Sequence, residues 1–194
     1  MKKFELTGEF VTNISGKKLF RIRALVAFGN VEAGELGGYV EKEENLSDAG
    51  DAWVFDDAWV SGNARVLGNA WVSGNAWVSG NARVFGDAWV SGNARVSGNA
   101  RVSGDARVSG NARVSGNADI LQITGLGTVH RTTTVFRTPD GIRIACGCFY
   151  GDLDAFREQV KETREGKVQR EYLKFTDLVE IYFGEDKEDE CECS

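Results

Sequence analysis

Few side chains in this sequence are suited to acid–base or metal chemistry. There is one histidine, His130, the only side chain whose ordinary pKa lies near neutrality. It lies beyond the repeated stretch of the chain, at a junction with the C-terminal segment. General-base catalysis needs a positioned group beside a substrate pocket, so His130 reads as an ordinary polar residue. Four cysteines form two Cys-x-Cys pairs, Cys146/Cys148 and Cys191/Cys193. Four soft ligands could hold zinc, but the usual spacing within a pair is wider. Cys146 and Cys148 share one face of an expected strand and read as small packing residues. No catalytic residue, metal or cofactor is expected, and the chain does not read as an enzyme.

The side chains that stand out are suited to recognition. All five tryptophans, Trp53, Trp59, Trp71, Trp77 and Trp89, fall at one position of a repeated six-letter unit. In later units arginine takes that position, at Arg95, Arg107 and Arg113 among others. Aromatic and guanidinium groups stack on one another and also dominate the centres of protein interfaces. Two readings are open: a staple between neighbouring units, or a surface that binds a second copy or a partner protein. A contiguous apolar patch on a lone protein is uncommon, so these eight residues are the candidate protein-binding site.

The repeat dictates how these residues are held. Valine recurs every six residues from Val54 to Val114, with Ile120 next, and alanine precedes each by two, from Ala52 to Ala118. Residues two apart lie on one side of a strand and the residue between them faces the other way. Gly-Asn and Gly-Asp pairs supply turns. Three such hexads close one triangular coil of 18 residues, which places every third hexad on the same face about 4.8 Å above the last. The outward positions then sort into three columns. They are Trp53, Trp71, Trp89, Arg107; Trp59, Trp77, Arg95, Arg113; and Arg65, Arg83, Arg101, Asp119. Upstream, Val40 and Leu46 are expected to take the alanine position; downstream, Thr124 and Leu126 are expected to form an inward pair.

Open coil ends must be covered, and the flanks supply covers. Residues 1–37 contain the alternating run "KKLFRIRALVAF", with Phe20, Ile22, Ala24 and Val26 on one face, a strand signal. Beyond the coils, "TTTVFRTPDGIRIACGCFYG" reads as a hairpin turning at Pro139-Asp140-Gly141. Amphipathic helices are expected at about 153–164 and 168–183, the second packing Tyr172, Phe175, Val179 and Tyr182. The expected organisation is an N-terminal strand cap (1–37), a β-helix (38–128), a C-terminal hairpin and helices (129–184), and an acidic, disordered tail (185–194).

The aliphatic-x-x-x-small-x pattern, "VSGNAR" here, resembles the hexapeptide-repeat proteins. The resemblance implies a left-handed parallel β-helix. Many such proteins are coenzyme-A-dependent acyltransferases, usually trimeric, with a histidine base and loops projecting from the coils. Here the only histidine lies outside the coils and no loop interrupts residues 51–122. The flanking motifs "LFRIRAL", "GELGGYVEKEENLS" and "TTTVFRTPDGIRIACGCFYGDLDAF" are similar to those of phage- and prophage-encoded hexapeptide-repeat proteins, often labelled transferases or polymer-forming proteins. That resemblance implies a phage origin. It also implies an accessory role through binding, and so inhibiting, a host protein, including one of host defence; self-association is expected from the tryptophan wall. A self-assembling structural role is the other non-enzymatic alternative.

Charge narrows the partners. The net charge is −6, of which residues 185–194 supply −5, six acids against one lysine. Residues 39–122 carry seven Lys/Arg against ten Asp/Glu, which disfavours nucleic acid, whose binding is dominated by phosphate neutralisation. No apolar run approaches the roughly 20 residues of a membrane span, and "MKKFELTGEF" lacks the apolar core of a secretory signal. A cytoplasmic location, with reduced cysteines, is the expectation.

Overall fold

The computed structural model describes residues 2–184; the acidic tail and the Cys191/Cys193 pair lie outside them. The chain is mainly β. It opens with β1 (Phe4–Thr12), β2 (Lys18–Ala24) and β3 (Leu36–Val40). Eleven two-residue rungs, β4 to β14, then recur every six residues from Trp53–Val54 to Arg113–Val114. The chain closes with β15 (Ile120–Leu126), β16 (Arg131–Thr138), β17 (Gly141–Cys146), β18 (Phe149–Gly151), α1 (Leu153–Thr163) and α2 (Gly166–Phe183). No described helix is long and apolar enough to cross a membrane.

The rungs form a parallel β-solenoid in which each residue pairs with the one 18 positions on. Trp71 pairs with Trp53 and Trp89, Trp77 with Trp59 and Arg95, and Arg83 with Arg65 and Arg101. Alanine and valine of every rung from Ala52 to Val114 are buried, because two small inward side chains per rung fill the narrow bore. Backbone bonds link successive coils at 2.8–2.9 Å, as from Trp59, Ser61 and Asn63 N–H to the carbonyls of Ala76, Val78 and Gly80. At the corners the glycines adopt positive φ, for example +66° at Gly80, and Asn63, Asn81 and Asn99 bond amide to amide along one edge.

β1 and β2 extend one solenoid face as antiparallel strands, reached through β3, which pairs parallel with the Trp59 rung. Val40 lies in register with Val60 and Leu46 with Val66. Both therefore take the valine position and not the expected alanine position, because eight residues and not six separate Leu46 from Val54, which shifts the upstream register by two. Val26 falls beyond β2.

At the other end the sequence pattern persists past the point where the coil stops. Ile120 stays buried, but Ala118 is exposed in a short 3-10 turn and Asp119 leaves the arginine column. Asp119 instead accepts from the N–H groups of Ser115 and Gly116 and pairs with Arg137. Thr124 is exposed, so the expected inward pair does not form; β15 is drawn into an antiparallel sheet with β16, β17 and β18. The helices pack on that sheet through Phe156, Val160, Tyr172, Phe175, Val179 and Phe183, while Tyr182 stays outside this cluster, partly exposed, and its hydroxyl donates to the Asn117 carbonyl at 3.0 Å.

Both ladder ends are closed by side chains that imitate the missing backbone. At the N-terminal end the Lys3 amino group donates to the carbonyls of Gly50 and Ala52 (3.0 and 2.8 Å), and Asn45 donates to Gly62 and Ala64 (3.1 and 2.8 Å). Burial pushes the Lys3 pKa down from its ordinary value. At the C-terminal end Asn117 accepts from the Arg101 N–H, Gln122 bonds both Ser103 N–H and the Arg101 carbonyl, and Thr134 accepts from Arg107 N–H.

The corner glycines separate two costs of substitution. A Cβ at Gly104 (φ +59°) meets open space, whereas one at Gly80 meets the Gly98 backbone nitrogen at 2.8 Å. Gly104→Ala should lose about 1 kcal/mol, the left-handed backbone penalty alone, and Gly80→Ala roughly 2 kcal/mol or more. Urea unfolding of the two variants checks the difference.

Candidate functional site

The eight candidate residues occupy two solenoid faces but separate into three environments. Trp53 is 0% exposed and is part of the core, not the surface. Phe28 and Phe4 meet it edge-on, with ring centroids at 5.3 and 6.3 Å. Gly37 gives it room, since a Cβ there would lie 2.7 Å from the Trp53 ring. Placing Trp53 in an outward binding wall is thus corrected: the N-terminal strands fold over that end of the column and bury it.

Trp59 and Trp77 form a parallel stack, centroids 4.9 Å apart and rings 8° from parallel, and the Arg95 guanidinium covers Trp77 at 4.7 Å. Below them the register continues to the buried Tyr39, whose hydroxyl accepts from Arg21 at 2.9 Å. The inner ring faces are thereby used inside the molecule. The loop at residues 13–17 overhangs this column, with Ile14 at its tip 94% exposed, and encloses a cleft of about 360 Å³. Arg113, at the end of the column, is spent on backbone carbonyls, including those of Asn93 and Ala112.

Trp71 and Trp89 differ. Their rings stand 6.0 Å apart and 78° from parallel, with Phe55 edge-on to Trp71 at 5.3 Å. Trp89 is 40% exposed, the most open of the five, and its indole N–H donates to Ser73 at 3.2 Å. Arg107 lies over Trp89 at 5.6 Å. A cleft of about 410 Å³ runs beside the pair, lined also by Asp51, Asn69 and Asp87. The sequence missed this cleft because Asp51, Asn69 and Asp87 read only as turn residues; their 18-residue spacing is the signal that stacks them on one corner.

The reactive side chains are dispersed. His130 is exposed at φ +49°, its Nδ1 against the Gly125 carbonyl at 3.1 Å. Cys146 is half-buried and its sulfur accepts from Thr133 at 3.2 Å, whereas Cys148 is exposed, which corrects the packing reading for that residue. Cys148 comes just after a turn at Gly147 and rides outside the sheet. Among the described residues no group of three or more His, Cys, Asp or Glu side chains could hold a metal ion. Both cysteines line a cleft of about 620 Å³ between the terminal sheet and α1–α2, with Arg131, Arg164 and Tyr172. Burial, followed by Cys146 beside it, pushes the Tyr172 phenol up to about 12.

Residues 58–74, 76–92, 94–108 and 106–119 match a known family model, described as the YdcK beta solenoid repeat. The match is confined to the coils. It supports a solenoid built of sequence repeats and covers neither cap. No curated protein matches the chain.

These environments set different costs for the same kind of change. Trp53→Ser should cost about 3–5 kcal/mol, as for truncation of a buried aromatic, while Trp77→Ser should cost about 0.5–1.5 kcal/mol per lost ring contact; denaturant unfolding distinguishes them. The Tyr172 phenol titrates near 10 when unfolded and near 12 when folded, so between those values the unfolded chain releases a proton that the folded chain keeps. Stability should fall as pH rises through 10 to 12, and Tyr172→Phe should flatten that fall in melting temperatures measured across the window.

Proposed function

We propose that the protein is a non-enzymatic, protein-binding β-solenoid whose docking surface is centred on Trp71 and Trp89. One observation carries the reading: Trp89 is the most exposed of the five rings and stands with Trp71 as a perpendicular pair beside a cleft, while Trp53 is buried and Trp59 and Trp77 spend their facing surfaces on each other. Interface energy concentrates in aromatic side chains seated in such clefts. Phe55 and Arg107 extend the surface along the same face.

The resemblance of the flanking motifs supports the finer setting. We read the coils as hexapeptide repeats wound left-handed, and the chain as a phage or prophage accessory protein. It acts in the bacterial cytoplasm by self-association and by binding a host protein, one of host defence included.

A photo-crosslinking residue, p-benzoylphenylalanine, tests this when placed at Trp89 and, as a control, at Arg83 on another face. Position 89 should give a discrete adduct in cells, with a second copy or a host protein, and position 83 should not. Trp89→Ser should remove self-association in sedimentation velocity while changing the melting temperature little. Equal crosslinking at both positions, or unchanged assembly of the Trp89→Ser variant, would overturn the reading.

A further inference from the structure

The cleft beside Trp71 and Trp89 has a charge signature that the arginine columns obscure. Residues 51, 69, 87 and 105 succeed one another at the 18-residue spacing of the coil and are Asp, Asn, Asp and Asp. Three carboxylates therefore line one corner of the solenoid, immediately before the face that carries the tryptophans. Asp51 and Asp87 line the cleft itself with Asn30, Asn69 and the two rings. Within the corner the contacts are hydrogen bonds: Asn69 donates to Asp87 at 2.9 Å and accepts from the Asp51 N–H at 3.1 Å. Neither carboxylate has a salt-bridge partner among the described residues. Lys3, whose charge Asp51 helps to hold, has its amino group committed to the carbonyls of Gly50 and Ala52.

Two indole rings set nearly at right angles, with carboxylates lining the same cleft, match the needs of an organic cation. The ring quadrupoles attract positive charge, the ring surfaces cover its apolar stem, and the carboxylates supply ionic hydrogen-bond acceptors. The molecule already uses half of this chemistry, since Arg107 lies over Trp89 and Arg95 over Trp77. One coil below Arg107, the cleft offers the same rings with no arginine of this chain in it.

We propose that this cleft receives a cationic side chain, the guanidinium of arginine or the ammonium of lysine, presented by the protein that docks on the Trp71–Trp89 surface. The assignment rests on that docking surface and adds the chemistry of its central contact. The partner then carries a basic residue at its point of entry. The arginine columns of this chain are not its main attraction.

The coil supplies conservative variants, because asparagine already holds the equivalent corner position at Asn69. The protein is titrated with acetyl-Gly-Arg-Gly-amide, its lysine counterpart and its neutral citrulline counterpart, with the five indole N–H resonances as the readout. The cationic peptides should move the Trp71 and Trp89 signals and leave those of Trp53, Trp59 and Trp77; the citrulline peptide should move none. Asp51→Asn and Asp87→Asn should each raise the Kd roughly fivefold or more, while Asp105→Asn, the same charge change outside the cleft, should leave it unchanged. Binding of citrulline as tight as arginine, an equal loss in Asp105→Asn, or the absence of any shift would overturn the cation site. Crosslinking at position 89 reads the docking surface independently, so a cation site that fails beside a surface that crosslinks is distinguishable from the failure of both.

Discussion

Parallel coils stacked 18 residues apart satisfy one another's backbone, and at each end of the stack that satisfaction stops. A buried carbonyl or N–H without a partner costs about as much as a lost hydrogen bond. A solenoid that repeated without interruption would also present an edge ready to add strands from other chains. Much of the non-repetitive chain answers this constraint. Lys3 and Asn45 donate to the carbonyls at the N-terminal end, and Asn117, Gln122 and Thr134 meet the backbone groups of the last coils. The caps are thus part of the ladder, continued with side-chain atoms.

The same stacking governs the outer surface, because whatever one coil displays is repeated directly above it. Aromatic residues gain from this: the Trp59–Trp77 pair spends its facing surfaces on itself. Arginines do not gain in the same way. Arg65, Arg83 and Arg101 stand in register, and like charges directly opposite one another disfavour the pairing. Alternation of ring and guanidinium, as at Trp77–Arg95 and Trp89–Arg107, turns that repulsion into attraction. The two tryptophan columns are therefore chemically unequal although the sequence writes them with the same letters. One is closed by stacking, and the other is held open by a perpendicular pair with carboxylates beside it.

Period six made the coil legible. Val54 to Val114 and Ala52 to Ala112 lie inward as the alternation requires, and the columns fall in the register that three hexads per turn dictates. Contacts set by distant residues were not legible. Trp53 carries the same local signal as Trp71, and only the fold-back of Phe4, Phe28 and Gly37 decides that it is buried. Ala118 and Ile120 keep the repeat's spacing, but the strand at Arg131–Thr138 pairs with Ile120–Leu126 and so ends the coil. The cleft beside Trp71 was written in the sequence as Asp51, Asn69 and Asp87, yet each looks like an ordinary turn residue until the 18-residue period is applied to the corners as well as to the faces.

The 18-residue register also sets the grain in which this gene can change length. Removal or duplication of one whole turn rejoins identical corners and returns both caps to the same angular position over their faces. Loss of six residues turns one cap by a third of a revolution relative to the other. Nearly identical units such as those from Asn93 to Asn117 are interchangeable within the coil. Copy number in this stretch can therefore drift in threes while the ends, and the tryptophan corner near the first of them, keep their relation to one another.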